Sequence, residues 1–520
     1  PSFHMALDKY YGTPEKFKEF VDSCHGRGIA VIVDIVFNHA FGQSPMVNMY
    51  WDAANARPAA NSPWFNTVCP HPPYCWGYDF DHTRPATQQF IDQVNKYWLD
   101  EYHVDGFRFD YTKGFANNAA GYNLERINLL KRMADKIWEV KSNAYVILEH
   151  WCDNSEEIQL ANYGMMLWGN VTQGYQEAGM GYTSTSNISS GIYSNRTWTV
   201  PHLVSYMESH DEERMMFKNL TYGNQTNPNH NAKNLYVALG RMQTAAVIFL
   251  TQPGPRMIWQ FGELGYDYSI NYCEDGTINT NCRTSPKPVR WDYYSNPNRL
   301  HLYKVTAAIN NLKKNYQTFS TTNYTLDGAG KGKRLILDGN TMDAVIVGNF
   351  DVIGINMIPG FTHTGTWYDY FTGSAVEVSN TSTPFGFMAG EYHIYTDQPL
   401  PVPDLITCAT YGQPCDDGNP ATIDDVYNEV CECAGTVGIT ELGNQPYQIY
   451  PNPTSENWHI QWETPNTEIQ FEVRNAQGQL IWKSQNQETM IPSAEWAPGL
   501  YILSVVQNGE QRFVTPLMKN

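Results

Sequence analysis

Four acidic residues close, or shortly follow, short apolar runs. Asp34 follows Ile29-Ala30-Val31-Ile32-Val33, Asp110 follows Val104–Phe109, Glu149 follows Tyr145-Val146-Ile147-Leu148, and Asp211 comes soon after Leu203–Met207. One such acid is an ordinary strand cap; four in succession describe a site. The cations nearest to them in sequence are chiefly Arg108 and Lys113. Carboxylates held close together raise one another's pKa, so one can stay protonated near neutral pH while another, beside an arginine, remains ionised. Arg108 and Asp110 lie two apart on a strand and therefore share a face. A carboxylate nucleophile with a separate carboxylic acid is the equipment of retaining glycoside hydrolysis. The same cluster also suits Mg²⁺ or Ca²⁺ in phosphoryl or enolate chemistry, and spacing alone leaves both open.

The elements that must carry these acids repeat as helix then strand. Thr13-Pro14-Glu15 reads as an N-cap, a proline at the first helical position and an acid in the first turn. Phe17, Phe20, Val21 and Cys24 then fall on one helix face, and Gly26 and Gly28 end the helix. The unalternating run Ile29–Val33 predicts a parallel strand covered on both sides. Further helices are predicted through Phe90, Ile91, Val94 and Trp98, through Leu124, Ile127, Leu130, Ala134 and Ile137, over Leu235–Phe249 and over Leu300–Lys314, with a last strand at Arg256–Gln260. Helix and strand in alternation mean βαβ units, an α/β class, and function at the carboxyl ends of parallel strands.

With 520 residues the chain is too long for one core, and two to four domains are expected. A net charge of −19 without a basic stripe argues against a nucleic-acid partner. The 15 Trp and 34 Tyr suit stacking on sugar faces, although core packing accounts for most of them. Of 10 cysteines, Cys69 with Cys75 and Cys273 with Cys282 lie close together in polar loops, as do Cys408, Cys415, Cys431 and Cys433. Such pairs predict disulfides and an oxidising compartment, whereas Cys24 and Cys152 are expected to be free. The Cys431–Cys433 spacing lacks a histidine, which argues against zinc. No apolar run approaches the roughly 20 residues of a membrane helix, so no transmembrane segment is expected, and Pro1-Ser2-Phe3-His4-Met5 does not read as a signal peptide.

At the same four strand ends the chain resembles the α-amylase family, glycoside hydrolase family 13. Asp34-Ile35-Val36-Phe37-Asn38-His39, Gly106–Lys113, Ile147-Leu148-Glu149-His150-Trp151 and Ser209-His210-Asp211 look like its four ordered signatures, and the likeness runs from about Asp8 to Lys314. It implies a (β/α)8 TIM barrel lacking its first strands, followed by all-β C-terminal domains. It implies Asp110 as nucleophile, Glu149 as general acid/base and Asp211 as the acid that binds the cleaved sugar. His39, Arg108, Lys113 and His210 would contact substrate or aim Asp110, and Asp34 would hold the Arg108 cluster. A structural Ca²⁺ would take Asn38 and Asp81; Gly114 stands where the family carries a histidine, and Leu148 where it carries a glycine. The implied activity is endo-cleavage of α-1,4 bonds in an α-glucan by a monomer. The alternatives are a branching enzyme or other transglycosylase, and a non-catalytic glucan-binding surface protein.

Beyond Lys314 the pattern alternates: Arg334–Leu337, Ala344–Asn349, Gly365–Tyr370 and Glu391–Thr396 read as a β-sandwich. The expected divisions are a partial barrel over 1–316 with a short inserted region at 40–86, the sandwich over 317–398, a Pro/Cys-rich linker over 399–438 and a final β-sandwich over 439–520. In the linker Asp416, Asp417, Asp424 and Asp425 could bind Ca²⁺, but a disulfide-stapled spacer is the plainer reading. Tyr450-Pro451-Asn452-Pro453-Thr454, Gly478-Gln479-Leu480 and Pro498–Leu503 resemble the sorting domain of Bacteroidetes type IX secretion substrates. That implies contact with the type IX machinery and a secreted or cell-surface location at the outer membrane.

Overall fold

The computed structural model describes residues 1–520 except 119–120, 419–421, 429, 438–446, 463–468, 476–478, 485–488 and 508–509. The chain divides into two units, Pro1–Ala409 and Thr410–Asn520.

The first unit is built on six parallel strands: β1 Ile32–Val36, β2 Gly106–Asp110, β3 Tyr145–Leu148, β4 Met166–Asn170, β5 Leu203–Tyr206 and β6 Arg256–Met257. They pair in sequential order, β1 to β6. This is the arrangement of a (β/α) barrel left open between β1 and β6. Among the described residues eight helices of two or more turns alternate with or follow these strands: α1 Pro14–His25, α2 Pro85–Tyr102, α3 Leu124–Val140, α4 Asn154–Tyr163, α5 Thr172–Met180, α6 Met215–Tyr222, α7 Leu235–Leu250 and α8 Pro297–Asn315, with a shorter one at Pro45–Met49. The cap predicted for α1 is present: the Thr13 hydroxyl accepts from Lys16 N, with proline in the first turn. Trp98, Leu99, Ile127, Leu130 and Ile137 of α2 and α3 bury against Phe107, Phe109, Val146 and Leu148 of the strands.

Two features depart from the sequence reading. The first strand runs over Ile32–Val36 rather than Ile29–Val33, and Ile29 is exposed. Gly28, at φ +71°, turns the chain, and Val31 is held by Asp105: its N–H donates to the Asp105 carboxylate and its carbonyl accepts from Asp105 N. Asp34 therefore lies inside β1, not at its end. Strand β4 was also not expected. It is short, and its Trp-Gly-Asn sequence carries no run of β-branched residues.

The all-β part of this unit contains β7 Tyr324–Asp327, β8 Gly332–Leu337, β9 Ala344–Asn349, β10 Gly365–Asp369, β11 Ala375–Val378 and β12 Tyr392–Thr396. They form one antiparallel sheet in the order β7-β8-β9-β12-β10-β11. A small pair, Ile355–Met357 with Phe385–Phe387, covers Val345, Val347, Trp367 and Tyr395.

The second unit begins with the hairpin Thr422–Tyr427 and Cys433–Val437, stapled by the Cys415–Cys433 disulfide. A three-stranded and a four-stranded antiparallel sheet follow, around Trp458, Phe471, Val473, Ile491, Leu503 and Leu517. The boundary expected at 438/439, the motif residues Asn419, Pro420 and Gly478, and the Asp424 side chain lie outside the described residues. Cys69–Cys75 and Cys273–Cys282 are disulfides, and Cys24 and Cys152 are free. Among the described residues no helix is long and apolar enough to cross a membrane.

Candidate active site

Arg108 is the hub of the acid cluster. It stands opposite Asp34 in the β1–β2 register, and Val36 stands opposite Asp110. Its Nη1 donates to Asp34 Oδ1 at 2.8 Å and to Asp110 Oδ1 at 3.1 Å, and its Nη2 donates to Glu149 Oε2. The guanidinium lies 4.1 Å from the centre of the Trp168 ring, which comes from β4. Trp168 thus gives the buried cation a π face beside the three carboxyl groups. Burial works against the arginine's charge, but Asp34, Glu149 and Asp110 outweigh it and hold its pKa above the usual value.

Glu149 follows β3 and is buried. Burial pushes its pKa up to about 8, with Arg108 pulling down and Asp110 pushing up. It therefore carries a proton at neutral pH, as a general acid requires. Its carbonyl accepts from Thr112 N at 2.9 Å and Thr112 Oγ1 at 3.0 Å, and its Oε2 accepts from Tyr111 N at 3.3 Å. The peptide bearing Glu149 is thereby tied to the residues just after Asp110. Tyr111, at φ +43°, and Trp151, at φ +46°, hold left-handed backbone beside the two acids. Such strain costs about 1–3 kcal/mol per residue and collects at functional sites.

Behind Glu149 lies a network that the sequence did not announce. His150 Nε2 is 2.9 Å from Glu156 Oε1, and His150 Nδ1 is 2.9 Å from Thr112 Oγ1. Arg126 grips Glu156 with Nε at 2.7 Å and Nη2 at 2.8 Å, and its Nη1 donates to the Lys113 carbonyl at 3.2 Å. Both Arg126 and Glu156 are fully buried. Lys113 is half-buried in the turn Thr112–Phe115, so the fixed part of this residue is its backbone.

His39 lies in a two-residue strand, His39–Ala40, that pairs with Tyr78–Asp79. Burial lowers its pKa to about 4, so it is neutral. His210 and Asp211 follow β5: His210 Nε2 is 3.5 Å from Asp211 Oδ2, and the His210 ring lies 5.9 Å from Trp168. Asp211 Oδ1 accepts from Arg283 at 2.7 Å.

The expected metal ligands differ in how free they are. The Asn38 side chain is buried and its Oδ1 has no partner. A Cβ on Gly114 would lie 1.9 Å from that oxygen, so a larger residue there would displace the Asn38 side chain. Asp81 is otherwise engaged: it accepts from Thr83 Oγ1 at 2.6 Å, Thr83 N at 3.1 Å and Arg84 Nε at 2.8 Å. The neighbouring acid with a buried oxygen that makes no hydrogen bond is Asp79, and burial pushes its pKa up to about 7. Asn66 links the two halves, donating to Asp79 Oδ2 and Asn117 Oδ1, each at 2.8 Å. Among the described residues three further groups gather side chains able to hold a metal: His150, Cys152 and Glu156; Asp343, His363 and Asp397; and Asp416, Asp417 and Asp425.

Residues 4–83 match the sequence model of the α-amylase catalytic domain, and residues 448–518 match that of a secretion system C-terminal sorting domain. Over residues 4–83 the chain is similar to the α-amylase catalytic domain. Solved structures similar to it include the α-amylase from Geobacillus thermoleovorans in complex with acarbose, at 15% identity and a TM-score of 0.58, covering 76% of this chain and 83% of that one. An Anoxybacillus α-amylase aligns at 16% identity and a TM-score of 0.57, covering 77% and 82%. By sequence, the chain is 28% identical over 221 residues to the 1,4-alpha-glucan branching enzyme GlgB of Bacillus caldolyticus, a match covering 41% of this chain and 28% of that enzyme. It is 25% identical over 301 residues to the corresponding Halothermothrix orenii enzyme, covering 52% and 44%. The matches thus span less than half the length of these relatives. The sorting domain marks the chain for type IX secretion, to the medium or the cell surface.

Proposed function

We propose that the chain is the catalytic part of a retaining α-glucan hydrolase that cuts internal α-1,4 bonds. The observation that carries this reading is the pair of acids that Arg108 holds at neighbouring strand ends: Asp110 ion-paired to it, and Glu149 buried, which pushes its pKa up. Asp110 attacks the anomeric carbon as the glycosidic bond breaks, and Glu149 gives its proton to the departing oxygen. Glu149, now a carboxylate, takes a proton from water, and the resulting hydroxide displaces Asp110, restoring both groups. Asp211, His210 and His39 hold hydroxyls of the cleaved sugar, and Lys113 contacts glucan on the leaving-group side.

The second reading is branching or other transglycosylation, favoured by the names of the relatives that match by sequence. Assay of the full-length protein on soluble starch separates the two. New reducing ends mean hydrolysis. An altered iodine colour without them means transfer, and retention on starch with neither means binding alone.

A structural Ca²⁺ fits the donor set in part. Asn38 Oδ1 and Asp79 Oδ1 are both buried without a hydrogen bond, with His71 Nε2 3.8 Å from the latter, and oxygen donors from separate segments suit this ion. Asp79 replaces Asp81 in this proposal because Arg84 and Thr83 already occupy Asp81. The ion would supply positive charge that keeps Asp79 ionised and ties the end of β1 to the Tyr78–Asp79 strand.

A further inference from the structure

The loop between β6 and α8 reaches back to the Asp211–Glu213 segment at two points. At its start, Ser269 Oγ donates to Glu213 Oε2 and Ile270 N donates to Glu213 Oε1, both at 2.7 Å. Farther on, Arg283 Nη2 donates to Asp211 Oδ1 at 2.7 Å and to the Asp211 carbonyl at 2.9 Å. One donor nitrogen that bridges the main chain and side chain of the same residue restricts rotation of that side chain. Between the two anchors the loop is closed by the Cys273–Cys282 disulfide, and the residue after the second cysteine is Arg283. Across the disulfide-closed turn Tyr272 bridges Ile278, and Cys273 N donates to the Thr277 carbonyl at 2.8 Å. Lys287 Nζ gathers the carbonyls of Cys282 at 2.7 Å and Ser285 at 2.8 Å, fixing the turn from which Arg283 projects.

We propose that Arg283, delivered by the disulfide-closed loop, is a positioning residue that holds the Asp211 carboxylate in its working orientation. The proposal rests on the reading of Asp211 as the acid that meets the cleaved sugar. Both partners of the ion pair are partly exposed, and such pairs add little to stability. A pair of this kind, aimed at one of the site's acids, is better explained by orientation of that acid. Asp211 Oδ2 faces His210 at 3.5 Å, so Arg283 constrains one oxygen and leaves the other the more loosely held. A preorganised carboxylate needs no reorientation as positive charge develops on the sugar.

The test uses full-length protein and maltoheptaose. Arg283→Gln is expected to lower kcat roughly tenfold with KM within about twofold, the pattern of a lost transition-state interaction, and Arg283→Lys to recover part of the loss. Binding of acarbose should weaken in Arg283→Gln but not when the same change is made on Asp211→Asn. The double variant Cys273→Ser/Cys282→Ser should reproduce the Arg283→Gln effect, and combining them should add nothing. An unchanged kcat in Arg283→Gln, or an equal loss of acarbose binding on the Asp211→Asn background, overturns the proposal. A wild-type protein that neither cleaves maltoheptaose nor binds acarbose removes the glucan reading instead. Amide hydrogen exchange at residues 209–213 then decides the clamp: faster exchange in Arg283→Gln and in the double serine variant supports it, and unchanged exchange overturns it.

Discussion

Asp34 and Arg108 stand opposite each other in the register of β1 and β2, and Asp34 Oδ1 accepts from Arg108 Nη1 at 2.8 Å. The same Nη1 donates to Asp110, so Asp34 fixes the angle from which Arg108 approaches the proposed nucleophile. Asp34 does not itself meet substrate in this reading; it acts through Arg108.

Asp34→Asn is therefore expected to lower kcat on soluble starch about tenfold, a loss of roughly 1.4 kcal/mol of transition-state stabilisation. Asp110→Asn should abolish turnover while leaving retention on a starch column intact. Steady-state kinetics and affinity electrophoresis of the two variants check this. Equal losses in both would place Asp34 in the chemistry rather than behind it.

Glu149 sets the second expectation. Its pKa is raised to about 8, chiefly by burial, and the first step needs its proton, so kcat/KM should fall as pH rises through about 8. Glu149→Gln should lose that limb together with activity on starch, and lose less on an aryl maltoside whose leaving group needs no proton. The same shift has a sign for stability. The folded state binds this proton more tightly than the unfolded chain, so the group's contribution is fully present below about pH 4.5 and is lost as pH rises toward 8. The Tm of Glu149→Gln relative to wild type should therefore be higher at pH 8.5 than at pH 4.5, as thermal unfolding at about those two values would show.

The acids were legible because each ends or follows an apolar run that must be a buried strand, and nothing else in the sequence repeats in that way. The start of β1 was less so: Ile29 and Ala30 are as apolar as the residues that follow, but Ile29 N donates to the Cys24 carbonyl and Val31 is taken up by Asp105. Arg126 left a faint signal. It lies on the buried face of α3 with Leu130, Met133 and Ile137, where an arginine demands an anion. Its partner Glu156, in the first turn of α4, looks like an ordinary N-terminal acid. Arg283 left none, since it lies 72 positions beyond Asp211, past α6, α7 and β6, and no periodicity joins them.

The Arg126–Glu156 pair carries the third expectation. Burial alone would raise the Glu156 pKa, but hydrogen bonds from His150 and Arg126 bring it down to about 2. Its contribution to stability is present above about pH 4.5 and is lost as pH falls toward 2. Glu156→Gln leaves Arg126 buried without its anion and should cost about 3–5 kcal/mol at neutral pH, measured by urea unfolding. Because His150 and Thr112 lie between this pair and the Glu149 carbonyl, activity per folded molecule should fall as well. A stable variant with full activity would show that the network neither supports the fold nor positions Glu149.

The metal proposal makes the last expectation. Asn38 Oδ1 and Asp79 Oδ1 are buried without a hydrogen bond, and an uncompensated buried polar group costs about 1–3 kcal/mol. A cation that binds the folded state alone raises Tm with its concentration. A chelator should therefore lower Tm, added Ca²⁺ should restore it, and Mg²⁺ should restore it less, because it demands stricter geometry and gives up water reluctantly. Asp79→Asn should start from the lower Tm and no longer respond to the chelator. Asp81→Asn should keep the response, since Arg84 and Thr83 rather than a metal hold that carboxylate. If chelation leaves the wild-type Tm unchanged while Asp79→Asn raises it, then Asp79 carries its proton in the folded protein, the pair of oxygens is an internal polar contact, and no ion is needed there.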